Sequence, residues 1–180
     1  IKLGRIYASH RTLDDVRRGI RDILNRELHH RLTGFSRNVV KAVEVSDSFH
    51  NNVAAAMRQA KPLPLANLRS TSDAIGGAVR QEGLATWMSA VKMHHSQTLR
   101  HVMNVAGIAS AFAQHLNLDT NDAALMVEAC LLHDVGKLFI PIAILEKPGR
   151  LTESERATIN LHPQRGAEAL VHSGVEDPML

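Results

Sequence analysis

The sequence predicts an all-α protein, a helical domain preceded by a small helical N-terminal segment, and three observations carry that expectation. Hydrophobic residues make up 44% of the chain and aromatics only 3%, so any core is built from Leu, Ile, Val, Ala and Met, which suits packed helices better than a sandwich or barrel. Apolar residues recur at steps of three and four through most of the length. Helix-start signals punctuate the chain, the plainest being Thr152-Glu153-Ser154-Glu155, which reads as a capping box.

The elements follow in order. Residues 1–11 are basic and show no periodicity. Thr12, with Asp15 three positions on, is expected to cap a first helix along which Val16, Ile20, Ile23, Leu24 and Leu28 form the apolar stripe. Arg17, Arg18, Arg21 and Arg26 are interleaved with Asp14, Asp15, Asp22 and Glu27, the pattern of a solvated face rather than a nucleic-acid patch. A second helix is expected over Ser36–Met57 on Val39, Val40, Val43, Val53 and Met57, with His29, His30 and His50 at the surface. Lys61-Pro62-Leu63-Pro64 interrupts any helix. It divides the chain into a helical connector region, 1–62, and a second domain, 63–180.

Within the second domain a short helix from Ser70 or Ser72 to Gly83, loosened by Gly76-Gly77, precedes another over Leu84–Met93 carrying Trp87. From Gln97 to Leu116 the spacing is strongly helical. His101, Val105, Ile108, Phe112 and His115 share one face, so His101 is expected to point at the interior. A turn at Asn117–Asn121 caps the next helix, about 122–134, which Gly136 ends. Residues 137–151 hold Pro141, Pro148 and Gly149 and read as a long loop, and in a compact helical domain such a loop is more often functional than idle. Pro163 suits the first turn of a last helix.

Charge and cysteine content narrow the function. A formal charge of +3 fits an anionic ligand and is too small to argue for a nucleic-acid groove. A single cysteine, Cys130, cannot close an internal disulfide, so a reducing, cytoplasmic setting is expected. No apolar run reaches membrane-spanning length. The chain starts at Ile1 and is expected to be a portion of a longer polypeptide.

The chemistry concentrates at His133-Asp134, where an apolar helix meets an imidazole and a carboxylate that are costly to bury without a partner. Taken singly, His101 reads as a satisfied core histidine and His162 as a helix cap. Taken together, three helical segments each deliver a histidine and one also delivers Asp134. That donor set suits iron, manganese or zinc. Two metals ~3.5–4 Å apart are an established means of activating water against a phosphodiester, and Lys137 supplies a point charge for a phosphate oxygen.

The run His133-Asp134-Val135-Gly136-Lys137, then Ile140-Pro141, Lys147-Pro148-Gly149-Arg150-Leu151-Thr152, Glu155 and His162-Pro163 with Gly166 closely resembles the HD-GYP family, a branch of the HD phosphohydrolases of bacterial signalling. Thr98-Leu99-Arg100-His101 matches the segment where that family places its first metal-binding histidine. The resemblance covers about 84–170 and not 1–62.

It implies an HD-type helical domain whose divalent metal centre, expected as two Fe or Mn ions, hydrolyses cyclic di-GMP to pGpG or GMP. By the resemblance His101, His133, Asp134 and His162 are metal ligands, and Asp134 and Lys137 are catalytic. Lys137, Lys147 and Arg150 are the expected substrate-binding residues. The family's third-metal glutamate position is occupied by Gln97, so two metals are expected at most, and nearby His94 and His95 are expected at the surface. The family's His-His-Glu segment, its Gly-Tyr-Pro motif and its later Asp do not follow His162 before Leu180. The competing expectation is therefore a catalytically inactive HD-type signalling module. Expected partners are an upstream sensor or receiver domain, a GGDEF-type protein and a second copy through the N-terminal helices, with neither membrane nor nucleic acid.

Overall fold

Where the helices start and stop follows from local side-chain chemistry. The computed structural model describes residues 10–175, with side chains from Asp15 to Val175. Of the expected irregular stretch at 1–11, residues 1–9 lie outside the described residues, and His10 and Arg11 already belong to the first helix. The helices are α1 (His10–Arg31), α2 (Arg37–Arg58), α3 (Leu68–Glu82), α4 (Leu84–Val91), α5 (Gln97–His115), α6 (Thr120–Leu132), α7 (Ile142–Leu145), α8 (Glu153–Asn160) and α9 (His162–His172). Short 3-10 turns lie at Leu65–Asn67 and Val135–Phe139, and no strand occurs among the described residues. The all-α expectation holds.

Ser36, Ser96 and Asp119 cap α2, α5 and α6 by accepting backbone N–H bonds from the first turn. The capping box at α8 closes both ways: the Thr152 hydroxyl accepts from Glu155 N–H at 3.2 Å and the Glu155 carboxylate from Thr152 N–H at 2.7 Å. Four helices end on a residue with positive φ: Ala60 (50°) after α2, Gly83 (82°) after α3, Asn117 (52°) after α5 and Gly174 (84°) after α9. After α5, Leu118 N–H reaches back to Ala113 C=O and Asn117 N–H to Gln114 C=O, which satisfies two orphan carbonyls.

One hydrophobic core joins all of this. Leu28 and Leu32 at the end of α1, Val39, Val43 and Val53 of α2, Ile75 of α3, Trp87 of α4, Met103 of α5, Leu131 of α6 and Leu170 of α9 belong to a single buried cluster. The Pro62–Pro64 segment is pinned to the end of α9, because Leu63 N–H donates to the Ser173 hydroxyl at 2.8 Å. Trp87 is fully buried, and its ring N–H donates to Met103 C=O at 3.0 Å. It lies directly on Gly107, where a Cβ would fall 2.2 Å from the indole ring.

Several expectations need correction. Helix α1 already includes Thr12, so Thr12 does not cap it. Helix α3 runs unbroken through Gly76-Gly77. Helix α6 ends at Leu132, and residues 135–145 are a 3-10 turn and a short helix rather than open loop. The interior face of α5 is not the one carrying His101: Ile108 and Phe112 are 48% and 51% exposed, and His101 and His115 are exposed too. The buried stripe is Val102, Met103, Ala106, Gly107, Ala109, Ser110 and Ala113. Small residues win because they let α5 approach α3, α4 and α6 closely enough for Trp87 to seat on the Gly107 backbone.

Candidate metal centre

The helix α6 stops one residue before the histidine. His133 retains helical angles (φ −52°, ψ −33°), while Asp134 has left the helix (φ −106°, ψ 10°) and opens the 3-10 turn. Asp134 is 7% exposed. A carboxylate this deep costs several kcal/mol of desolvation unless cations or donors surround it, and its surroundings are cationic or potentially so.

Its Oδ2 lies 2.7 Å from Lys137 Nζ, 3.1 Å from His133 Nε2 and 3.4 Å from His101 Nε2. Its other oxygen, Oδ1, lies 3.4 Å from His162 Nε2. The four sequence-predicted metal positions and Lys137 thus meet at one carboxylate, drawn from α5, the α6 terminus and α9. The ligand atoms of His101, His133 and Asp134 fall within 4.8 Å of one another, while His162 approaches the opposite oxygen. His101 reaches the cluster from an exposed position, and its ring stands edge-on to that of His133 with centroids 5.4 Å apart.

The ring tautomers bear on whether a metal fits. His133 Nδ1 lies 2.7 Å from Cys130 C=O and His162 Nδ1 2.8 Å from Ile159 C=O. A carbonyl only accepts, so both Nδ1 atoms carry the proton. Each Nε2 then confronts the Asp134 carboxylate with either a lone pair or a second proton. Two lone-pair bearers at this separation repel unless a cation lies between them. A ring N–H tied to a backbone carbonyl, with the other nitrogen facing a shared carboxylate, is the arrangement that metal-binding histidines use. The residues present fit a divalent cation.

Backbone geometry brings His162 in. At Gly136 a Cβ would sit 1.8 Å from the His162 carbonyl oxygen and 2.7 Å from the Gly166 nitrogen. The 3-10 turn therefore touches the first turn of α9 backbone to backbone, and only glycine permits it. Gly166 completes the approach from the other side, its missing Cβ being 3.3 Å from Gly136 N. Arg165 adds a tie from its guanidinium to Phe139 C=O at 3.3 Å.

The two expected substrate residues of the 147–152 segment are placed differently. Lys147 Nζ donates to both oxygens of Glu155, at 2.6 and 2.8 Å. That bond is the main cause holding the Glu155 carboxyl below its usual range, with the Thr152 N–H adding to it. Arg150 is exposed and has no hydrogen bond or ion pair among the described residues.

Sequence reasoning missed one buried polar pair. His94, expected at the surface, is 1% exposed and bonded to Asp47 at 2.9 Å. The available signal was Asp47 itself, a carboxylate on the apolar stripe of α2 marked by Val39, Val43 and Val53. His50, also expected at the surface, is half-buried, and its Nε2 is sealed from solvent.

Comparison with known proteins agrees with this geometry. The HD domain family model matches residues 85–176. The cyclic di-GMP phosphodiesterase response regulator RpfG of Xanthomonas campestris pv. campestris is 32% identical over 90 residues, covering 50% of this chain and 24% of the relative. A cyclic di-GMP phosphodiesterase of Pseudomonas aeruginosa is 32% identical over 118 residues, 63% of this chain and 28% of the relative. The 3'3'-cGAMP-specific phosphodiesterase 2 of Vibrio cholerae is 38% identical over 85 residues, 47% of this chain and 16% of the relative. The chain spans less than a third of the length of these relatives. No solved structure matches it significantly. The matched span contains every residue gathered around Asp134, and the chain belongs to the HD-domain family, in its HD-GYP branch.

Proposed function

We propose that this chain carries the metal-binding part of a phosphodiesterase that hydrolyses cyclic di-GMP to pGpG or GMP. The observation that carries the reading is the buried Asp134 carboxylate shared by three imidazoles and Lys137. The names of the relatives support the substrate class, cyclic di-GMP in some and 3'3'-cGAMP in others.

In this reading His101, His133, Asp134 and His162 hold divalent metal, two Fe or Mn ions. Asp134 would contribute a buried carboxylate whose Oδ2 faces His101 and His133 and whose Oδ1 faces His162. Bound there, the metal supplies Lewis acidity that lowers the pKa of water and makes it a nucleophile. Cys130 C=O and Ile159 C=O keep the ligating nitrogens of His133 and His162 turned inward. Lys137, whose ammonium donates to Asp134 Oδ2 at the mouth of the cluster, would offset the charge that builds up on a phosphate oxygen during P–O cleavage. Arg150, exposed and without an ion pair among the described residues, is available to a second phosphate or a base edge, whereas Lys147 shapes the segment through Glu155.

Residues 1–62 act as the connector to an upstream sensor or receiver domain, and one relative is named a response regulator. Val16, Ile20 and Ile23 of α1 are 51–59% exposed at helical spacing, which supports pairing with a second copy. A GGDEF-type protein is the expected signalling partner. No helix among the described residues is long and apolar enough to cross a membrane, and with the free Cys130 this supports a cytoplasmic setting.

The deciding experiment uses the longer polypeptide, purified anaerobically and loaded with Mn²⁺ or Fe²⁺. Conversion of cyclic di-GMP to pGpG, abolished by His133→Ala, is expected. No turnover of cyclic di-GMP or 3'3'-cGAMP by metal-loaded protein would refute the proposal.

A further inference from the structure

His101 is the least sheltered member of the cluster, with 54% of its side chain exposed. Packing around the ring therefore does little to hold it, and its position depends on where α5 begins and how that helix is rotated. The start of α5 is anchored by one buried structure.

Asp47 of α2 is 5% exposed and His94 is 1% exposed. His94 Nδ1 accepts the Ser96 N–H at 3.0 Å, so that nitrogen carries no proton and Nε2 must donate to Asp47 Oδ1 at 2.9 Å. Asp47 Oδ2 accepts from Asn51 Nδ2 at 2.9 Å. Ser96 is in turn the N-cap of α5, its hydroxyl accepting Leu99 N–H at 3.3 Å, and Arg100 of the first turn donates to His94 C=O at 3.2 Å. Both carboxylate oxygens and both imidazole nitrogens are satisfied. His101 follows Arg100 directly in sequence.

A pair with only a stabilising role would serve as well anywhere in the core. This one spans 47 residues, from the second helix to the loop before α5, and ends on the capping residue one turn before a cluster histidine. We propose that Asp47 and His94 are positioning residues for the metal centre: the strut from α2 through His94 to Ser96 sets the register and rotation of α5 and so holds His101 against Asp134. The proposal rests on reading the cluster as a metal centre. It also ties α2 to one ligand-bearing helix through a chain of buried hydrogen bonds.

The test uses the full chain with three variants. His94→Asn keeps an acceptor for Ser96 N–H but cannot reach Asp47. Asp47→Glu lengthens the strut by one methylene while keeping its charge and fold. Val53→Ala truncates the core on the same helix without touching the strut. In metal-free protein, the nuclear Overhauser contact between the His101 and His133 rings is expected to persist in wild type and Val53→Ala and to weaken several-fold in the two strut variants. Their Co²⁺ affinity is expected to fall about tenfold, the lower end of the range for groups that orient ligands, and the drop should vanish in a His101→Ala background.

Retention of both signals in the strut variants, or an equal loss in Val53→Ala, would overturn the proposal. If His94→Asn does not fold, Asp47→Glu decides alone. Should wild type bind no Co²⁺, the metal-centre reading fails, and the ring contact in metal-free protein still decides the strut.

Discussion

Replacing Gly136 by alanine tests the backbone contact that delivers His162. The added Cβ would lie 1.8 Å from the His162 carbonyl oxygen and 2.7 Å from Gly166 N, and both obstacles are backbone, so no side-chain rotation relieves the clash. Reaching even a 3.0 Å contact requires α9 to retreat by about 1.2 Å. If that retreat runs along the line from His162 Nε2 to Asp134 Oδ1, now 3.4 Å, the pair opens to roughly 4.6 Å and ceases to be a contact. Overpacking of this kind costs about 1–3 kcal/mol, and the upper end applies here because nothing flexible absorbs it. For a chain of this size about 3 kcal/mol corresponds to a melting point lower by roughly 6–12 °C. Removing one of the site's imidazoles should weaken Mn²⁺ binding at least about tenfold. Thermal melts and Mn²⁺ titration followed by electron paramagnetic resonance measure both. Gly166→Ala is the matched control, since its nearest new contact is 3.3 Å and calls for only a slight shift. A Gly136→Ala protein that melts and binds Mn²⁺ like wild type would refute the account of how His162 is placed.

Other perturbations probe separate links. Gly107→Ala places a methyl 2.2 Å from the buried Trp87 ring; a loss of about 2–3 kcal/mol is expected, with red-shifted emission from the single tryptophan, and unchanged emission would contradict the packing. Lys147→Ala removes the chief cause of the depressed Glu155 pKa. In wild type that stabilisation is complete above the ordinary glutamate value of about 4.5 and is lost as pH falls through the lower folded value; the variant's carboxyl should titrate at higher pH by NMR, and an unmoved midpoint would exclude the pairing. Burial holds the His50 imidazole below its usual 6.5, against the raising effect of the Ser46 carbonyl. The fold keeps it neutral while the unfolded chain takes up a proton, so stability is full above pH 6.5 and declines as pH falls below it. His50→Leu should reduce the gap between urea midpoints measured at about pH 7.5 and about pH 5.5, and an unchanged gap would show that the decline arises elsewhere.

The cluster was legible in the sequence because its residues occur as a short run, His133 to Lys137, flanked by histidines on neighbouring helices. What brings them together was less so. On α5 two stripes satisfy helical spacing, one of large residues (Ile108, Phe112, Leu116) and one of small ones (Ala106, Ala109, Ala113). Periodicity alone cannot choose between them, and close approach to Trp87 selects the small one. His94 was illegible because its partner, Asp47, is 47 residues away, and only the tertiary fold shows an imidazole and a carboxylate removed together from water. Asp47 on an apolar stripe was the one hint. The Schellman ending of α2 on Ala60 was hidden for a similar reason, since alanine gives no sign of a positive φ.

The way α8 and α9 are attached has a kinetic consequence. Helix α8 buries none of its residues fully, and α9 buries only Gly166 and Leu170. Their hold on the rest is largely the glycine-to-backbone contact at Gly136 together with the Arg165 and Ser173 hydrogen bonds. Segments held by so little apolar area open at a fraction of the global unfolding free energy. Amide protons of α8 and α9 should therefore exchange with solvent well before those of α5 and α6. Each such opening withdraws His162 while His101, His133 and Asp134 stay assembled, so the two sides of the Asp134 carboxylate differ in lifetime: one is durable, the other renewed with every closing of α9.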